Sequence, residues 1–385
     1  MLNRRSLLAA GVLPWASLAM AAAPAPGERR LVLLILRGGL DGLQAVPAPG
    51  DPAFADARGV LGRFDSAPLP LAGPFALHPQ LSGLHALYGR QELLVLHAIG
   101  LPYSERSHFD AQQLLESGGQ RPHERDDGWL GRALAATGGG AIGLGTAVPL
   151  VLRGAAQVDT WAPSALPDPA PDLLARLERL YAGDPALGTA LARARTLQAG
   201  PGMAGMAGRA GPAAGAGAAE GLATRAAEFL SRPGGPGTAV LELGGWDSHA
   251  NQAAPQGAIT QNLKRLDAMV SALHIGLGPR WAQTVVLVLT EFGRQVAVNG
   301  TQGTDHGSGG IALLAGGAVH GGRVLADWPG LAMKDRFEGR DLRSTIDLRA
   351  LIHGVLHDHL QVPRATLDRT VLPGVAAPLR DLLRA

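Results

Sequence analysis

Short apolar runs recur along the chain, and each is closed by glycine or by a polar residue. They occupy residues 31–36, 93–99, 148–152, 239–243, 285–289 and 311–314. Runs of this length without polar alternation are what strands of a parallel sheet, covered on both faces, require. Between them, apolar residues at spacings of three and four over residues 173–180, 263–277 and 348–360 predict helices. Strands that alternate with helices predict an α/β layered fold with a mostly parallel central sheet flanked by helices.

The ends and the composition refine this picture. Asn3-Arg4-Arg5-Ser6-Leu7-Leu8 opens an apolar stretch that reaches Leu18, and Ala19-Met20-Ala21 supplies small residues for a signal peptidase. This is the layout of a twin-arginine signal peptide over residues 1–21, with cleavage expected after Ala21. Pro14 and Ser17 interrupt a stretch already shorter than the roughly 20 apolar residues that a membrane anchor needs. No later run is long enough to span a bilayer, so the expected product is a soluble periplasmic or otherwise extracytoplasmic protein, handed to the twin-arginine translocase. Residues 22–385 are expected to form one domain. Residues 199–219, almost entirely Gly, Ala, Pro and Met, read as a flexible surface insertion that has too few bulky groups to repay its ordering entropy.

There is no cysteine, which excludes thiolate metal sites and a cysteine nucleophile and leaves stability to a packed core. A mature chain of about 360 residues is long enough to bury one. The formal charge is +2, and removing residues 1–21 removes Arg4 and Arg5 and leaves no net charge. A neutral chain with only 4% aromatic residues offers neither a basic face nor a stacking surface for nucleic acid.

Open α/β sheets bind ligands beyond the carboxyl ends of their strands, so the polar residues just after the apolar runs carry the candidate chemistry. Asp41 follows the first run inside Arg37-Gly38-Gly39-Leu40-Asp41-Gly42. Asp247 and His249 follow the run 239–243. Glu291 and Arg294 follow 285–289, and Asp305-His306 stand just before 311–314. Carboxylates and imidazoles gathered at one rim suit a divalent ion such as zinc, manganese or calcium. Asp41 reads equally as a turn or N-cap residue, and Glu291 as the anchor of the Arg294 guanidinium.

After 93–99 comes Arg106-Ser107-His108-Phe109-Asp110, where Ser107 beside His108 offers a nucleophile, or else a helix cap with Asp110 at capping-box spacing. That helix start would also favour an anionic group. His353, His357 and His359 lack a zincin glutamate and read as surface or core residues, and Trp129 reads as a buried aromatic. Arg37-Gly38-Gly39-Leu40-Asp41-Gly42 lacks the spaced glycines of a dinucleotide loop.

Taken in order, Arg37-Gly38-Gly39-Leu40-Asp41-Gly42, Arg106-Ser107-His108-Phe109-Asp110-Ala111, Gly245-Trp246-Asp247-Ser248-His249, Thr290-Glu291-Phe292-Gly293-Arg294 and Gly303-Thr304-Asp305-His306-Gly307 resemble the bacterial family called domain of unknown function 1501. The resemblance spans nearly the whole mature chain. That family is similar in turn to the alkaline-phosphatase-like group, which includes sulfatases, and the resemblance implies an alkaline-phosphatase-like fold and a two-metal site. It places Asp41 after the first strand as a ligand, Ser107 as nucleophile, and Asp247 with His249 on the second metal. Asp305-His306 reads as the group's Asp-His pair, with no final histidine after it. Alternatively Glu291 takes the Asp position and His306 is the final histidine, and Arg294 or Gly293 then stands where a metal-binding histidine is expected. Strand position favours the second register. The resemblance implies a metal-dependent hydrolase of small anionic esters, phosphate or sulfate, with Arg294 or Arg37 on the ester. The alternative is an inert binding or assembly protein, holding a carbohydrate or a partner, that keeps the fold with a degraded metal site.

Overall fold

The computed structural model describes residues 28–155, 157–164, 169–198, 216–252, 257–375 and 377–384. The signal segment 1–21 and residues 199–215 of the expected insertion lie outside the described residues, and residues 216–219 belong to a helix. The strands are β1 (Arg30–Leu36), β2 (Leu69–Pro70), β3 (Ala76–Leu77), β4 (Leu93–Gly100), β5 (Ala141–Gly143), β6 (Val158–Thr160), β7 (Thr238–Leu243), β8 (Thr284–Thr290), β9 (Gly310–Ala315), β10 (Arg323–Leu325) and β11 (Ile346–Asp347). The α-helices are α1 (Gly42–Ala45), α2 (Phe54–Arg58), α3 (Ser82–Gly89), α4 (His108–Ser117), α5 (Trp129–Thr137), α6 (Pro171–Tyr181), α7 (Pro185–Gln198), α8 (Ala216–Ser231), α9 (Ala258–Leu277), α10 (Leu348–Asp358) and α11 (Arg364–Thr366).

One large sheet runs in the order β10-β4-β9-β8-β1-β7-β5-β6, with β11 paired to β4. Every pairing in it is parallel except those of β9, which runs antiparallel to β4 and to β8. The chain therefore has the mostly parallel α/β fold that its apolar runs predict. Alternation along β1 shows why those runs are continuous: Val32, Leu34 and Leu36 enter one core, and Leu31, Leu33 and Ile35 the other. The first core packs against α3, α8 and α9, and the second against α4, α5 and α10. Trp129 is fully buried there and donates its indole N–H to the Leu115 carbonyl at 2.9 Å.

One expectation is corrected here, and another is met. Residues 148–152 are not a strand. Pro149 leads into a 3-10 turn over Leu150–Leu152, and the Val151 amide bonds to the Glu116 carboxylate instead of to a neighbouring strand. Proline has no amide to give to a sheet ladder, and the short strand β5 precedes it. The periodic stretch 173–180 does form α6, but α6 buries none of its residues, and Leu173 and Leu180 are 48% and 72% exposed. No helix among the described residues is long and apolar enough to cross a membrane.

Candidate metal centre

Five rim segments converge because of strand direction. β1, β4, β7 and β8 are parallel, so the residues after their last positions lie along one edge of the sheet. The reversed direction of β9 brings the residues before its start, Asp305 and His306, to that same edge. Glycines permit the close approach. Gly38 has φ +120°, and a Cβ there would lie 2.5 Å from the Asp247 amide. A Cβ on Gly293 would lie 1.9 Å from the Gly309 carbonyl oxygen.

At the centre is Asp247. Its Oδ1 lies 2.9 Å from His249 Nε2 and 3.1 Å from His306 Nε2, and its Oδ2 lies 3.4 Å from His108 Nε2. His306 Nε2 is 3.0 Å from His108 Nε2 and 3.2 Å from His249 Nε2. One donor atom from each of His108, Asp247 and His306 falls within 4.8 Å of the others. The opposite ring nitrogens are all engaged. His108 Nδ1 faces Glu291 Oε1 at 2.9 Å, His249 Nδ1 faces Asp305 Oδ1 at 3.1 Å, and His306 Nδ1 faces the Arg106 carbonyl at 3.0 Å. A carbonyl or an ionised carboxylate only accepts, so each Nδ1 carries the proton. In the neutral rings that leaves three Nε2 lone pairs aimed at one another and at a carboxylate. Lone pairs so arranged repel unless an added proton or a metal ion lies among them, and acceptors on the far nitrogens are how metal-binding histidines are held in tautomer and orientation. Three imidazoles and one carboxylate suit zinc or a similar borderline ion better than magnesium or calcium, which take oxygen ligands.

Glu291 and Asp305 thus stand behind the histidines. The Glu291 carboxylate is buried and accepts from Gly38 N at 2.8 Å, from Gln112 Nε2 at 3.0 Å and from Thr290 Oγ1 at 3.1 Å, besides His108. Burial pushes its pKa up, but the bonds from His108 and Gln112 outweigh that and hold it below the ordinary value. Asp305 is likewise held low despite desolvation, by Asn299 and His249. Desolvation also raises the Asp247 pKa, and the Arg294 guanidinium more than reverses it, to about 2. His108 is raised, chiefly by its bond to Glu291, whereas burial lowers His306. The Phe292 ring packs at 4.7 Å from the His108 ring and 5.1 Å from the His306 ring.

The other expected residues occupy different surroundings. Asp41 caps α1, accepting from Gln44 N at 3.2 Å, and its Oδ2 takes Arg58 Nη2 at 2.6 Å and the Gln252 amide. The Arg58 side chain is wholly buried and also bonds the Val296 carbonyl at 2.8 Å. Arg294 is equally buried: its Nη1 meets Asp247 Oδ1 at 2.5 Å and the Gly38 carbonyl at 3.4 Å, and its Nε meets Thr304 Oγ1 at 3.2 Å. Arg37 pairs with Glu116 and Glu242 at 2.8 and 2.6 Å. Ser107 is the N-cap residue of α4, but its hydroxyl makes no capping bond, and Asp110 instead receives the Tyr103 hydroxyl at 3.1 Å. His353 and His359 lie away from the rim, bonded to Asp368 and to the Arg30 carbonyl, and His357 to the Val362 carbonyl.

Among similar solved structures is a sulfatase from Pseudoalteromonas sp., with 16% identity, 78% of this chain and 64% of that chain covered, and a TM-score of 0.41. A phosphonate monoester hydrolase of Agrobacterium radiobacter shows 14% identity, 77% and 70% coverage and a TM-score of 0.36. The C-terminal periplasmic domain of EcEptC from Escherichia coli, complexed with zinc, shows 9% identity, 75% and 73% coverage and a TM-score of 0.35. The chain spans just under two thirds of the length of that sulfatase. No curated protein sequence matches it. A family model described as "Protein of unknown function (DUF1501)" matches residues 96–370, and the chain belongs to that family.

Proposed function

We propose that this chain is an exported metal-dependent hydrolase of phosphate or sulfate esters, with a single divalent ion held by His108, His249, His306 and Asp247. The observation that carries this reading is the convergence of three imidazole Nε2 atoms on one carboxylate, each ring having its other nitrogen satisfied. A divalent ion in that position supplies a Lewis acid for an ester oxygen and lowers the pKa of a bound hydroxyl or water. Glu291 and Asp305 orient the ligands. Arg294 fixes Asp247, and Arg58 neutralises Asp41, so that Asp41 is left out of the ligand set. Ser107, next to His108 at the start of α4, is the candidate nucleophile, its hydroxyl not spent on capping.

The runner-up, an inert binding protein, draws on one observation. The Arg58 and Arg294 guanidinia are both sealed from solvent and are spent on Asp41 and Asp247, so neither is offered to an anion from solution. Metal content of protein purified without chelators, followed by turnover of aryl phosphates and aryl sulfates, separates the two. The expected result is about one divalent ion per chain, lost in Asp247→Ala with the fold retained, and ester turnover lost in Ser107→Ala with the ion retained. No ion in the parent protein sinks the hydrolase reading, and an ion without turnover of any ester favours the binding protein. Export is tested by Arg4→Lys, Arg5→Lys: the variant should stay in the cytoplasm with residues 1–21 attached.

A further inference from the structure

His306 differs from the other two histidines in the group that orients it. His108 and His249 give their Nδ1 protons to carboxylates, but His306 gives its proton to a backbone carbonyl, that of Arg106. That carbonyl belongs to a residue in the left-handed region, with φ 59°. For a residue with a Cβ this conformation is strained and persists only where its surroundings hold it.

The holding group is a buried carboxylate far along the chain. Arg106 Nε donates to Asp341 Oδ2 at 2.9 Å, and Asp341 has no exposure to solvent. The same oxygen accepts from Ser308 Oγ at 3.1 Å, two residues after His306. Arg340, next to Asp341, donates from Nη2 to the His306 carbonyl at 2.9 Å, and its Nη1 lies 3.1 Å from Asp341 Oδ1. Asp341 is itself fixed by exchanging backbone bonds with Phe337, at 2.9 and 3.0 Å. The second partner of Arg106, Glu338, bonds at 2.5 Å but stands at the surface.

We infer that Asp341 is a positioning residue of the metal centre, which keeps the Arg106 carbonyl on His306 Nδ1 and so keeps the His306 Nε2 lone pair turned towards Asp247. This rests on the metal reading above. Without Asp341 the loop before α4 relaxes out of the left-handed region, the carbonyl turns away, and His306 is free to place its proton on Nε2, where it cannot ligate.

The test uses the full mature chain and cobalt(II) as the probe. Asp341→Asn should bind cobalt about 10- to 100-fold more weakly, the range seen when an outer partner of a metal ligand is removed. Its visible cobalt spectrum should change, and nitrogen-detected NMR of the metal-free protein should show His306 divided between its two tautomers. Glu338→Gln should leave affinity within about twofold, as for other exposed pairs. Should Asp341→Asn not fold, Arg106→Lys keeps the charge but loses the planar fork, and should weaken cobalt in the same direction. If the parent protein binds cobalt and Asp341→Asn (or, in its place, Arg106→Lys) matches it in affinity and spectrum, the positioning role is overturned while the metal centre stands. If the parent takes up no cobalt, both fall together.

Discussion

His97 and His359 lie inside the protein, His108, His249 and His306 at the rim of its sheet, and the two groups carry their protons on opposite nitrogens. His97 points Nε2 at the Val46 carbonyl at 3.0 Å and accepts the Ala98 amide on Nδ1 at 2.8 Å. His359 points Nε2 at the Arg30 carbonyl at 2.8 Å. Every polar atom of His97 is thereby satisfied by backbone, and the ring is a neutral core residue. The rim histidines spend Nδ1 on outer acceptors and leave Nε2 facing other lone pairs. A buried ring that closes its own hydrogen bonds supports the fold, whereas a ring that leaves Nε2 facing its neighbours' lone pairs is what the proposed metal binding draws on.

The comparison breaks most readily at charge. Arg58→Met leaves Asp41 buried without its cation and should cost about 3–5 kcal/mol of stability, measured by urea unfolding. Metal content should not change. Loss of the ion in this variant would return Asp41 to the ligand set.

Acid separates the two groups next. Burial lowers the pKa of His97 to about 4, and that of His359 to about 4. The unfolded rings titrate near the ordinary value of about 6.5, so the unfolded chain takes up protons first as pH falls. The stability that these neutral rings contribute is complete above pH 6.5 and is lost between pH 6.5 and 4. For His97 the loss is on the order of 3 kcal/mol. His97→Gln should flatten the stability-against-pH curve in that window, and an unchanged slope would remove His97 from the account.

The smallest effect sharpens the rim side. Glu291→Gln and Asp305→Asn should each weaken zinc about 10- to 100-fold by competition titration, with little loss of fold. A complete loss of zinc in either one would make that carboxylate a ligand instead of an orienting group.

Much of the framework could be read from the sequence. Runs such as 31–36 and 285–289 are apolar at every position because strands covered on both faces have no polar side, and the acids and histidines after them had to meet at one edge. What each atom does there was not legible. Arg58 reaches Asp41 from a short helix that nothing in the Asp41 turn announces. The use of Glu291 depends on His108 arriving at the start of α4, after a different strand. Asp341 lies in a stretch with no motif, and its importance shows only through the dihedral of Arg106. Periodicity encodes which face is buried, whereas a ligand and the residue that orients it differ by a few ångströms that no spacing records. The run 148–152 failed for a simpler reason, since Pro149 removes a donor inside an otherwise strand-like segment.

The pairing of Asp41 with Arg58 has a practical consequence. Arg58, a cation attached to the chain by covalent bonds, neutralises Asp41 without any ion, so under the proposed metal binding a chelator, or scarcity of metal in the surroundings, would act only at the histidine side. On that proposal the protein should survive depletion folded, and its supply of metal would set how much of it works and not how much of it exists.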